Sequence, residues 1–154
     1  MSSARGKANQ CLYLARILIA AWRRDVDAEV IPASVLTQAF LPCVHGHLRD
    51  AYGWFLLEIT RPGAIPDNPP ACIDALPQVA AGKAVPPEVR EFQQLEATGW
   101  IGKMLAADAS SSAPSLSAGN LVTAVAAPDP AQASQWADLL QSLFDRMGDS
   151  LDEY

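Results

Sequence analysis

Apolar residues recur at helical spacing in four stretches of this chain. No run of alternating residues is long enough to build a sheet. The first stretch covers about Arg5 to Arg24. Cys11, Leu14, Ala15, Leu18, Ala21 and Trp22 share one face, and Leu12, Ile17 and Ile19 widen it. Asn9, Arg16 and Arg23 recur every seven residues and mark a narrow polar strip. A polar link, "RDVDAEV", separates this stretch from a second helix that Pro32 opens and that runs to about Thr60. Leu36, Phe40, Cys43, His47, Ala51, Trp54 and Glu58 step along it by four and three, the spacing of a heptad seam. Pro42 lies inside and predicts a kink or a split. Pro62 and Gly63 stop the helix.

The next residues, Arg61 to Val85, are rich in proline, and a structureless loop of that length is uncommon in a compact domain. It is expected to lie against the helices, with one helical turn near "ACIDAL". Pro86 and Pro87 open a third helical region in which Val89, Phe92 and Leu95 face inward. The register shifts near "ATGW", where Thr98 is the expected cap of a second piece carrying Trp100, Ile101, Met104 and Leu105. A serine-rich link, "ASSSAPSLSAGN", and an extended "LVTAV" follow. Asp129, Pro130 and Gln132 form a strong helix start. Trp136, Leu140, Leu143, Met147, Leu151 and Tyr154 are the seam of the last helix. Asp145, Asp149, Asp152 and Glu153 crowd its negative end, which predicts fraying. The fold class expected from this pattern is all-α: an antiparallel four-helix bundle with long Pro-rich and Ser-rich connections, in a single domain spanning 1–154.

Composition narrows the functional classes. Half of the 154 residues are apolar, enough to fill one core. The longest apolar run, Cys11 to Trp22, contains Arg16 and falls short of the roughly 20 residues that a membrane span needs. The start, "MSSARGKANQ", does not resemble a secretory signal. Three cysteines among apolar neighbours argue against a disulfide framework and for a cytoplasmic location. The net charge of -6 is uneven: residues 1–60 are nearly balanced, whereas residues 108–154 set Arg146 against Asp108, Asp129, Asp138, Asp145, Asp149, Asp152 and Glu153. The basic footprint that phosphates need is only weak, at the start of the chain, so nucleic acid is not an expected partner, and neither is a membrane.

Chemistry concentrates in "CVHGHLRDAYGWFLLEI", Cys43 to Ile59. At about 100° per residue His45 and His47 point to nearly opposite sides and cannot share a metal. Cys43 and His47 are one turn apart. A tight hairpin of the first two helices would bring Cys11 level with His47, giving three soft ligands without an evident fourth. The plainer reading is that free cysteines pack as small apolar residues, and no metal or other cofactor is expected. Glu58 lies about 16 Å along the helix from His47, too far for an acid–base pair with it. As a seam carboxylate it calls for a partner, with Arg5 or Lys7 within reach. Metalloprotease, hydrolase, phosphate-loop and dinucleotide signatures are absent, which leans away from an enzyme.

The segments "NQCLYLARILIAAW" and "HLRDAYGWFLLEI", with "TGW" at Thr98–Trp100 and the final Glu153–Tyr154, resemble a family of small uncharacterised bacterial proteins known only as a domain of unknown function. That resemblance implies a helical bacterial protein without assigning an activity. It singles out Asn9, Tyr13, His47, Tyr52 and Glu58 as candidate ligand-binding positions. A second likeness, to helical toxin and antitoxin proteins, is architectural only. The arginine that RNA-cleaving members place shortly before a histidine is missing from Ala39 to Cys43. The expected function is a non-catalytic helical interaction module that contacts a protein partner or itself, with a homodimer in view. The rival expectation is a small-ligand-binding or enzymatic bundle with a polar pocket around His47, Tyr52 and Glu58.

Overall fold

The computed structural model describes residues 3–60, 66–73, 87–107 and 128–152. Within them the chain is all-helical: α1 (Ala4–Ala28), α2 (Ala33–Thr60), α3 (Pro87–Thr98), α4 (Trp100–Ala106) and α5 (Pro130–Asp152). The serine-rich link, "LVTAV" and most of the Pro-rich connection lie outside the described residues.

Ser3 starts α1 by accepting the Gly6 N–H on its hydroxyl at 3.0 Å, which satisfies one of the orphan donors of the first turn. The polar link expected after Arg24 instead continues the helix to Ala28. There Glu29 adopts a left-handed conformation, φ 55°, and its N–H returns to the Val26 carbonyl. Pro32 stands just before α2, its carbonyl accepting the N–H groups of Val35 and Leu36. Pro42 does not split α2, which runs unbroken to Thr60.

The buried face of α1 is Ala4, Ala8, Leu12, Ala15, Ile19 and Trp22. This corrects the expected face: Leu14 and Ile17 point to solvent, and Cys11 and Leu18 sit at the edge. Small alanines at three of the six inward positions let α2 approach closely. α1 and α2 pair as a hairpin, with Arg5 meeting Glu58, Lys7 meeting Trp54, Cys11 meeting Asp50 and Trp22 meeting Phe40. Asp50 is nearly one turn past His47, so the expected Cys11–His47 level does not form.

α2 touches each of the other four helices. Phe55 is the hub. It stacks on Phe144 of α5 at 4.2 Å and meets Phe92 of α3 edge-on at 6.4 Å. Such aromatic pairs contribute about 0.5–1.5 kcal/mol beyond the area that they bury. α5 begins as its sequence indicates, with Asp129 Oδ1 accepting the Gln132 N–H at 2.8 Å. It lies along α1 through Arg16–Asp138 and through Arg5, whose guanidinium donates to the Gly148 carbonyl at 3.2 Å. Thr98 does not cap α4. Its hydroxyl donates back to the Gln94 carbonyl, and Gly99 is the extended residue between the helices. No described helix is long and apolar enough to cross a membrane.

Candidate functional site

The residues singled out from the sequence separate onto different neighbours. Asn9 and Tyr13 are exposed on α1, Tyr13 at 65 %. His47 is half-buried on α2, and Cys43, expected in the seam, is exposed. The buried histidine is His45, whose Nε2–H donates to the Leu105 carbonyl at 3.1 Å and ties α2 to α4. Glu58 faces α1, 3.8 Å from Arg5 Nε, a partner expected from its place in the seam. At that length and partial exposure the pair contributes about 0–1 kcal/mol. Tyr52 faces the other way, toward α3. The pocket expected around His47, Tyr52 and Glu58 is therefore not assembled by these contacts. Nor do three histidine, cysteine or carboxylate groups converge as metal ligands among the described residues.

Tyr52 is the member of the set that enters a polar environment. Its ring is wholly buried and meets Phe92 edge-on at 5.7 Å. Its hydroxyl closes no hydrogen bond of good geometry, yet it lies within electrostatic reach of the Glu96 carboxylate. Burial first, then the charge of Glu96 and a hydrogen bond toward it, then Cys72, push the Tyr52 phenol far above its ordinary range. We read the Tyr52–Glu96 pair as a long, imperfect hydrogen bond. The electrostatic response needs only proximity, whereas a full bond also needs alignment.

Glu96 is also fixed from the chain side. The Ile73 N–H donates to both carboxylate oxygens, at 3.1 and 3.4 Å. This bond anchors the 66–73 segment against the helices. Gly53 permits the approach: a Cβ there would run into the Pro70 carbonyl oxygen and come within 2.9 Å of Pro69 Cβ. Pro70 and Ile73 are buried, as expected for a Pro-rich connection that lies on the helices. The rest of "ACIDAL" lies outside the described residues.

Beside this anchor is an open cleft of about 630 Å³, lined by Cys72, by Gln93, Glu96 and Ala97 of α3, and by Gly102, Leu105 and Ala106 of α4. Gly102 lets α4 approach α3 closely here, because a Cβ there would strike the Glu96 carbonyl oxygen. Sequence reasoning missed Cys72, Gln93 and Glu96, since a charged position on an amphipathic helix reads as a solvated one. Two signals were present: Gly53 inside a strongly apolar helix, and the Gly99–Gly102 pair around the register shift.

A different feature marks α1. Tyr13, Leu14 and Ile17 are 65 %, 36 % and 48 % exposed on the side away from the core, and Ala20 shares that side. Compared with protein-family models, curated proteins and solved structures, the chain matches none of them.

Proposed function

We propose that this chain is a non-catalytic helical interaction module that pairs with a second copy of itself through the outer face of α1. In this reading the helices form an antiparallel four-helix bundle in which α3 and α4 are two pieces of one broken helix. The protein is a cytoplasmic bacterial one of the helical family that its motifs resemble. The observation that carries the proposal is the row of exposed apolar side chains on α1, at positions where a helix facing only water carries polar groups.

The face fits a copy of itself. At 100° per residue Tyr13, Ile17, Ala20 and Ala21 fall within one side of the helix, with Leu14 at its edge. A second copy laid in the opposite direction, with Ile17 on the two-fold axis, sets Tyr13 and Leu14 against the small Ala21 and Ala20. Large side chains then meet small ones. The basic start of α1, with Lys7, approaches the Asp25 and Asp27 end of the other copy. An arrangement in the same direction would set Tyr13 on Tyr13 and repeat like charges.

Sedimentation velocity over a wide concentration range tests the reading. The wild-type chain is expected to sediment as a dimer. Ile17→Glu is expected to sediment as a monomer with unchanged helical circular dichroism and melting temperature. A wild-type chain that stays monomeric at every concentration, or an Ile17→Glu chain that remains dimeric, overturns it.

A further inference from the structure

The outer face of α1 ends in two polar residues. Gln10 and Arg24 each stand seven positions from Ile17, one before it and one after. At about 100° per residue a step of seven falls only about 20° short of two full turns, so Gln10, Ile17 and Arg24 form one row. All three are exposed. We propose, on the basis of the self-association reading, that Gln10 and Arg24 are the specificity-determining pair of that face. The guanidinium of each copy donates to the side-chain carbonyl of Gln10 in the other copy. The two symmetric bonds admit a second copy laid in the opposite direction and no other arrangement.

Three observations support this. The first is position. A two-fold axis at Ile17 exchanges positions equally far before and after it, so Arg24 falls on Gln10 of the other copy, about 10 Å from the axis at roughly 1.5 Å per residue. The second is availability. Among the described residues neither side chain closes a hydrogen bond or ion pair within its own chain. Arg24 has Ala20 and Ala28 one turn before and after it, so nothing bulky on its own helix covers the guanidinium and no carboxylate stands at that spacing. The third is the surrounding surface. Tyr13, 65 % exposed, lies three residues after Gln10 and so flanks the same spot on the other copy. An arginine crossing there lays its planar head against the ring while its fork reaches the amide, a combination that a lysine does not reproduce.

The pair also decides direction. Two copies laid the same way would set Arg24 on Arg24 and Gln10 on Gln10, and the row holds no carboxylate to take the doubled charge. A polar residue in the apolar row of a helix pair fixes register and direction at some cost in affinity. It also turns away other apolar helices, which would cover the guanidinium and leave it without an acceptor.

Sedimentation velocity on the full chain, at low salt and at about 1 M sodium chloride, gives the dimer dissociation constants that test this. Gln10→Glu turns each bond into an ion pair. It is expected to tighten the dimer by about fivefold at low salt, the scale of two exposed pairs. At about 1 M salt that gain is expected to vanish. Gln10→Lys brings like charges together and is expected to weaken the dimer by about fivefold. Adding Arg24→Glu to Gln10→Lys reverses both signs and is expected to restore wild-type affinity to within about twofold. These positions are exposed and the substitutes are good helix formers, so each chain is expected to keep its helical circular dichroism. A Gln10→Glu chain that dimerises more weakly would mean that the copies lie in the same direction, and overturns the proposal. An unchanged constant for Gln10→Lys, or a double variant as weak as Gln10→Lys alone, overturns it too. A dimer that Ile17→Glu dissolves but that ignores these variants removes the pair and leaves the interface standing. A wild-type chain that stays monomeric removes both.

Discussion

The two halves of α2 are built from similar residues and live in different surroundings. From Ala51 to Leu57 every position is buried, because α1, α3, α5 and the 66–73 segment cover the helix on all sides. From Ala33 to Gly46 only Leu36, Leu41, Val44 and His45 are buried, and Val35, Pro42 and Cys43 face outward. The apolar content of a helix therefore does not say how much of it is core. What decides is how many neighbours reach that level of the fold. Pro42 sits in the one-sided half, where the missing hydrogen bond and the extra ring meet fewer packed neighbours.

This contrast can be broken at its strongest point first. Phe55→Ala removes the ring that joins α2, α3 and α5, and is expected to cost about 3–5 kcal/mol in urea unfolding. Val35→Ala in the one-sided half is expected to stay within about 0.5 kcal/mol. Comparable losses at the two positions would mean that the halves are equally packed. Gly53→Ala is the next test. Its methyl would meet Pro70 and Pro69, so a loss of about 1–3 kcal/mol is expected, with faster proteolysis near residues 66–73. A neutral result would show that the segment does not rest on α2.

Alkaline unfolding sharpens the comparison from another side. The Tyr52 phenol is held above its unfolded value of about 10. Its contribution is complete below that pH and is lost as pH climbs toward the folded value. Between about pH 10 and the folded value the stability of the fold is expected to fall by up to about 1.4 kcal/mol for each pH unit. Cys11, raised by partial burial and then by Asp50, acts in the same direction from a lower pH. Tyr52→Phe is therefore expected to flatten the alkaline decline without removing it. A slope that ignores the substitution would place Tyr52 in water. A modest effect belongs to the start of α5, outside this contrast. Asp129→Ala is expected to lower the melting temperature by an amount equivalent to about 1 kcal/mol, the worth of one helix cap.

The helix limits were largely legible from the sequence because punctuation is local. Pro32, Pro87, Asp129 and Pro130 stand where the helices begin, and Asp129 makes the capping bond that its spacing indicates. The inner face of α1 was not legible. Leu12, Tyr13, Leu14, Ile17, Leu18 and Ile19 surround the helix with apolar groups, so periodicity cannot choose a side. Close packing chose the side that carries Ala4, Ala8 and Ala15. That choice moved the hairpin register by nearly a turn and took Cys11 away from His47. The site was less legible still. Glu96 acquires its surroundings from Ile73 and Tyr52, which are distant in sequence, and no local pattern encodes such a meeting. Tyr52 was singled out, but with His47 and Glu58 for company rather than Glu96 and Cys72.

The bond from Arg5 to the carbonyl of Gly148 joins residues 143 positions apart and brings the start of α1 onto the end of α5. Topologically, the helical part of the chain is almost a closed ring. A short flexible linker across that gap would complete it, and the exposed Val30 and Ile31 between α1 and α2 offer the place to open it again. The order in which the helices are strung is thus separable from the way they pack, and the same packing is open to a chain read from a different beginning.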